Sequence, residues 1–437
     1  MKSKSNFQII VIVLFLFAGG LGILVFSGII PIGNKAQEKG GGGTVVLWGT
    51  ENSGLVNPLV EDFNQKNPSF AVKYVQKSSE NFNQDLLEAL ASNTGPDLIF
   101  LSNDLAFYYA DKIFNIPYTS YPLSSFKNNF AGAGEVFLNS GGVLAFPMSI
   151  DPLVMYYNRT ILDDNEIVYP PKTWNELVNI IPKLNQKYNL GQLKKSTVAL
   201  GHFSNIVHAK EIISMLFMQL GNPIVSERSQ PNATESGGKF VSTLSNSNLD
   251  SILKFYTDFA DPSKSIYSWN RSFSNSRDEF SAENLIFYFG YASEVKSLIN
   301  KNPNQNFLVA PIPQIKNSKF KSTFARVTGL SVLSSSKNFR SAFSVAGLMA
   351  SSDFSTKFAL AQGKVPPRRD ALAIQQNDAY FPTFYASALF ARSYLDPSPK
   401  DTNDIFRRMV DGVISNRNSV GQALQNAHNE LNLLLFR

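Results

Sequence analysis

The stretch from residue 44 to 102 constrains the fold more than any other, because strand and helix periodicities alternate in it. "TVVLWG" (44–49) is a short apolar strand, and "NPLVEDFNQKN" (57–67) spaces its apolar residues as a helix does before the stop at Asn67-Pro68. "FAVKYVQ" (70–76) alternates as a second strand, "NFNQDLLEALAS" (81–92) reads as a second helix, and "PDLIFLS" (96–102) as a third strand. That order makes parallel βαβ units with right-handed crossovers, so an α/β fold is predicted. Ligands on such sheets sit beyond the carboxyl ends of the strands. The rule points to Trp48, Glu51 and Asn52 after the first strand and to Asn103 and Asp104 after the third.

Further along, two apolar runs, 143–148 and 153–157, flank Asp151 and Pro152. A carboxylate between two strand-like segments is unexpected in a buried stretch, and 437 residues is too long for one ordinary core, so two domains are expected. A helix over 170–184 opens at Pro171, and Thr173 with Glu176 has capping-box spacing. Helices follow at 208–220 and around 247–260, a strand at 283–290 and a helix at 292–300. Strands are expected at 306–314 and 329–336, and the chain is mostly helical from 339 to an amphipathic segment at 419–435. No repeat of solenoid period is present.

Residues 8–30 carry no charge and as a helix would span about 35 Å, enough for a bilayer core. Lys2 and Lys4 precede them, so residues 1–7 are expected in the cytoplasm and everything after 44 outside it. The segment reads as an uncleaved anchor, with a cleaved signal as the alternative. Residues 31–43, rich in glycine, read as a tether. The chain has no cysteine, which excludes disulfides, thiolate metal sites and a lipid-modified N-terminal cysteine. A net charge of +6 with scattered basic residues gives no nucleic-acid footprint. His202, His208 and His428 lack metal-ligand spacing, so no metal and no cofactor are expected. "DDNE" (163–166) reads as a solvated turn, and the sequons at Asn158, Asn232 and Asn270 as coincidence.

The block "GGVLAFPMSIDPLVMYYNRTIL…YPPKTWNELV" carries a resemblance to a known family, supported by "GPDLIFLSND" (95–104), "AENLIFYFGYAS" (282–293), "VAPIPQ" (309–314), "TGLSVLSSSKN" (328–338) and "GKVPPRRDA" (363–371). Their order and spacing resemble the extracellular solute-binding proteins of ABC importers, in particular the sugar-binding group that includes the maltose-binding protein. The resemblance covers about 44–435. It implies a two-lobed periplasmic-binding-protein fold with a hinge and an interlobe cleft. Lobe I would hold 44–150 and 307–343, and lobe II 154–303 and 344–437. It also implies a small solute, a carbohydrate by the resemblance, ABC permease subunits as partners, and a monomer. The chain departs from the pattern in its missing anchor cysteine and in lacking most of the tryptophans of a maltose-type site.

A sugar offers hydroxyls at its rim and apolar C–H faces, so its site needs aromatic plates and carboxylates or amides. Trp48 is either such a plate or a core residue; Glu51 and Asn52 bind hydroxyls or form a solvated turn. Asn103 and Asp104 face the cleft or cap the following helix. Asp151 contacts ligand or holds backbone at the crossing. Tyr291 and Trp269 are expected to stack on ligand, and Phe203 and Asn205 to line the cleft; Trp174 is expected in the core. Two other functions fit the residues: a glycosidase using Asp104 and Asp151, and an extracellular sensor or adhesion module with the same fold.

Overall fold

The computed structural model describes residues 44–189, 191–227 and 240–436. The segments 1–7, 8–30 and 31–43 and the Asn232 sequon lie outside the described residues. Among the described residues no helix is long and apolar enough to cross a membrane.

The opening pattern forms as read: β1 (Val45–Gly49), α1 (Ser53–Lys66), β2 (Val72–Gln76), α2 (Phe82–Ala91) and β3 (Leu98–Ser102), with β1 parallel to both β2 and β3. The unbroken apolar run of β3 follows from cover on both faces. Leu98 and Phe100 pack with Val60 and Phe63 of α1, while Ile99 and Leu101 share the other core with Phe82 and Leu86 of α2.

The two apolar runs around Asp151 are one strand. β4 (Phe146–Asn158) is buried along its whole length, with Asp151 and Pro152 near its middle. Beyond it come α3 (Trp174–Leu184), β5 (Leu193–Val198), α4 (Ala209–Gln219), β6 (Leu285–Tyr291), β7 (Phe307–Ala310) and β8 (Thr323–Val332). Then follow α5 (Phe339–Met349), α6 (Ser352–Ala361), α7 (Pro399–Ile414) and α8 (Val420–Leu435). The first half of β4, up to Pro152, pairs antiparallel with β8, which also pairs with β3. From Leu153 onward β4 lies between β6 and β7, antiparallel to both, and β6 runs parallel to β5. Proline lacks the N–H a central strand needs. Pro152 falls where β4 changes partners, from Ala325 on β8 to Tyr291 on β6 opposite Leu153, so the missing donor interrupts neither ladder.

The fold is thus a two-lobed α/β periplasmic-binding-protein fold, with sheet order β2-β1-β3-β8-β4 in one lobe and β7-β4-β6-β5 in the other. The sheets are mixed, not purely parallel. The second crossing differs from the expected one at 307. β7 pairs with Met155–Asn158, the second-lobe half of β4. The first lobe receives its return strand only at β8, and it keeps α5 and α6, whose Ala342, Val345, Phe354 and Phe358 pack with Leu47 and Phe100. An apolar run announces a strand but not its neighbour, and the expected strand at 329–336 began six residues after the observed start at Thr323, and so left out Arg326.

Candidate functional site

Where β4 changes partners, charged side chains from both lobes meet. Asp151 is 3% exposed. Its Oδ1 accepts the Ser293 N–H at 3.0 Å, and its Oδ2 accepts the Ser293 hydroxyl at 2.6 Å. Burial pushes its carboxyl up; Lys364, the two Ser293 bonds and Arg326 pull the other way. Ladder pairing sets Arg326 opposite Asp151, and a bridge between Ile150 and Val365 brings Lys364 alongside. Lys364 also acts on Glu51, whose carboxyl burial raises and whose Oε2 has no partner among the described residues.

Arg326 crosses to the second lobe. Its guanidinium carbon lies 4.3 Å from the Tyr291 ring centroid, and its Nη2 is 3.8 Å from Glu211 Oε1. The other neighbour of Tyr291 is the His208 ring, edge-on at 4.5 Å. The Tyr291 hydroxyl is buried without a partner among the described residues, and burial, then Glu211, pushes its pKa well up. Behind it, Glu294 accepts from His208 Nε2 (2.6 Å), Tyr288 Oη (2.7 Å), the Tyr291 N–H (2.9 Å) and Arg277 (2.7 Å). Burial opposes ionisation of Glu294, yet these donors hold its carboxyl at about 2.

The N-terminal turn of α4 adds Lys210, which meets Asp396 at 2.6 Å with both side chains buried. Asp396 is further held by Thr402 and the Ser398 N–H. Burial disfavours the Lys210 charge, but Asp396, Glu211 and Asp104 outweigh it and raise its pKa. Asp104 reaches this cluster from the end of β3. Burial raises its carboxyl, Lys210 and Arg326 lower it, and Asp396 and Glu211 raise it. A cavity of about 1130 Å³ has none of these charged side chains in its lining. Its lining includes Leu105, next to Asp104 in the chain, Phe107, Tyr108 and Leu144, with Leu395 and Pro397, either side of Asp396. Typical small-molecule sites hold roughly 300–1,000 Å³.

The structure therefore brings Glu51, Asp104, Asp151 and Tyr291 together through Lys364, Arg326, Lys210 and Glu211. Asn103 is a support: its Oδ1 accepts the Val327 N–H and its Nδ2 donates to Asp104 Oδ1. Trp48 is half-buried with the Lys77 ammonium over its ring at 3.9 Å, so that face is covered. Asn52 is exposed and caps α1, accepting the Gly54 N–H at 2.8 Å. Tyr291 differs from the expected stacking plate, because Arg326 and His208 occupy its ring and leave only its hydroxyl. Trp269 is fully buried, stacked on Phe273 at 4.6 Å, and donates to Asn205 Oδ1, so it presents no open face. Asn205 spends its amide on the Asn270 and Phe273 carbonyls, and Phe203 is in the core. Trp174 is core, as expected.

Ser293, His208, Lys210, Glu211, Glu294, Arg326 and Lys364 were missed. The signal for Lys210-Glu211 was a charged pair opening an otherwise apolar helix, whose residues Ala209 and Ile212–Gln219 are all buried. Arg326 stands alone as a charge in the strand TFARVTGLSV, at the one exposed position of an otherwise buried run.

Two lobes sharing a continuous strand, with a polar cluster where they meet, form an arrangement suited to holding a small ligand between domains. Residues 58–383 match the model of a family described as bacterial extracellular solute-binding protein, and the chain belongs to that family. It is a binding protein and not an enzyme, so the glycosidase reading of Asp104 and Asp151 falls. Solved structures of the same fold include a cyclo/maltodextrin-binding protein complexed with maltotetraose (16% identity, TM-score 0.72, covering 91% of this chain and 98% of that one). Another is the cyclic α-maltosyl-1,6-maltose binding protein from Arthrobacter globiformis (14%, 0.73, 90% and 99%). A third is the sugar-binding protein MalE from the phytopathogen Xanthomonas citri (17%, 0.68, 90% and 97%).

Proposed function

We propose that the chain captures a carbohydrate in the interlobe cleft and, tethered to the membrane by residues 8–30 with its soluble part outside the cytoplasm, delivers it to the permease of an ABC importer. The observation that carries the reading is the polar cluster of Asp104, Asp151, Glu211 and Arg326, drawn from both lobes where β4 changes partners. Carboxylates and an arginine suit sugar hydroxyls, because charge-assisted hydrogen bonds are the strong ones. Structures of the same fold are named for sugars they bind, which supports the same class here. Groups from both lobes contact such a ligand only when the lobes are close, so the ligand favours closure by its preference for that state. A sensor or adhesion role keeps the same cleft and dispenses with the permease.

The test is thermal stability of the purified chain against sugars, polyols, amino acids and polyamines. A ligand at one hundred times its Kd stabilises by about 2.7 kcal/mol, and the shift should vanish in Asp151→Ala. Silence from every sugar would remove the carbohydrate reading. Membrane fractionation of the full chain tests the tether, and co-purification with a permease separates import from sensing.

A further inference from the structure

The continuous strand β4 joins the lobes, and away from it they touch again around Phe107 and Ser140 of the first lobe. The Phe107 ring, just past β3, stands edge-on to the Phe240 ring, with centroids 5.7 Å apart and planes at 67°. The Ser140 N–H donates to Glu227 Oε2 at 3.2 Å. The second-lobe partners, Phe240 and Glu227, are a single cross-strand pair. Val225–Glu227 and Phe240–Ser242 run antiparallel with Phe240 opposite Glu227, so one short ribbon supplies both contacts.

Each side of this junction is braced within its own lobe. The Ser242 N–H donates to Asn432 Oδ1 of α8 at 2.9 Å, and the Thr243 N–H to the Ile224 carbonyl at 3.1 Å. Across from them, Asn139 Oδ1 accepts the Gly141 and Gly142 N–H groups at 2.8 and 3.0 Å, and the Tyr118 hydroxyl donates to the Asn139 carbonyl at 2.7 Å. The ribbon therefore moves with the second lobe and the 139–142 turn with the first. The junction also belongs to the cavity of about 1130 Å³. Phe107, Asn139 and Phe240 are all in its lining, together with Leu144 from the first lobe and Leu395 from the second.

An edge-on ring pair gains free energy beyond the area it buries, and a hydrogen bond to a charged group is among the stronger ones. Made between lobes, both exist only while the lobes are together, so they bias the chain toward the closed state by their own free energy. Resting on the interlobe-capture reading above, we propose that Phe107 with Phe240 and Ser140 with Glu227 form a latch at the edge of the cavity. Glu227 and Phe240 are positioning residues that set how long a captured solute stays. They hold the ribbon against the first lobe, and the solute leaves after both contacts break.

The test uses the full chain, whose lack of cysteine lets spin labels be placed singly. Labels at Ser79→Cys in the first lobe and Asn426→Cys on α8, both exposed positions, report the interlobe distance by pulsed electron paramagnetic resonance, with and without maltotetraose. Glu227→Ala combined with Phe240→Ala should reduce the closed population in at least one of the two conditions, and Phe240→Tyr, which keeps the ring, should not. An unchanged distance distribution in both conditions would overturn the latch, whatever the solute. Stopped-flow measurement on the same chains should show maltotetraose leaving the double variant about threefold or more faster, with association no slower. Slower association at an unchanged dissociation rate would overturn the retention role, since a merely damaged site acts that way. Absence of maltotetraose binding by the parent would count against the carbohydrate reading, and the distances would still decide the latch. Glu227→Ala alone removes one half-buried carboxylate and leaves the rings in place, so it decides by the same distances should the double variant fail to fold.

Discussion

Glu294→Gln isolates one carboxylate whose ionisation the fold strongly favours. Glu294 holds the end of β6 through the Tyr291 N–H and fixes His208 against the Tyr291 ring. Its pKa is held at about 2 against an ordinary 4.5, with its side chain 10% exposed. At about 1.36 kcal/mol per pH unit, that difference contributes about 3 kcal/mol of stability to the ionised, folded protein. The sign follows from the folded pKa lying below the unfolded one. The contribution is complete above pH 4.5 and is lost as pH falls through the folded value near 2. At pH 3 about 1.4 kcal/mol of it should remain. Urea unfolding of the parent and Glu294→Gln chains at pH 5, 4 and 3 measures the difference directly. The gap between the two should be largest at pH 5 and shrink by about half by pH 3. A gap of constant size across that range would show that Glu294 acts by shape and neutral hydrogen bonding, and the charge argument would be refuted.

Lys210→Met should destabilise by about 3–5 kcal/mol in the same assay, because it leaves Asp396 buried without its cation. Lys210→Met with Asp396→Asn should recover part of that loss. Gly142→Ala should lower stability by more than about 1 kcal/mol, since residue 142 has φ +154° and a Cβ would stand 2.1 Å from the Ile116 carbonyl oxygen. Trp269→Ala should cost about 3–5 kcal/mol while leaving the rank order of bound sugars unchanged, as its ring is taken up by Phe273 and Asn205.

The elements before residue 102 were legible because each buries a face whose period the sequence writes out. The capping box of α3 was legible too: Thr173 accepts the Glu176 N–H, and Glu176 reaches back to the Lys172 N–H, one residue before the cap. Asp151 stood out as a carboxylate between apolar runs. What the sequence hid was partnership. Nothing local tells that β7 lies beside the second half of β4 or that Ser293, 142 positions away, supplies both bonds to Asp151. The aromatic candidates misled for a related reason. Trp269 and Tyr291 have the size and polarity of stacking plates, but whether a ring face is open depends on residues as distant as Arg326, which covers Tyr291 across the lobes.

The shared strand also sets the order in which the chain can assemble. The open edge of β3 finds its neighbour only in β8, where Ser102 pairs with Thr328, and the first lobe's cover is finished only by α5 and α6. A ribosome must therefore make most of the second lobe before the first can close. Until then β3, an almost wholly apolar strand, waits with one side unpaired, the state most exposed to wrong association. Pairings so far apart in sequence also make for slow folding, so the interval between synthesis of β3 and arrival of β8 is the time during which this chain most needs to be kept from its own kind.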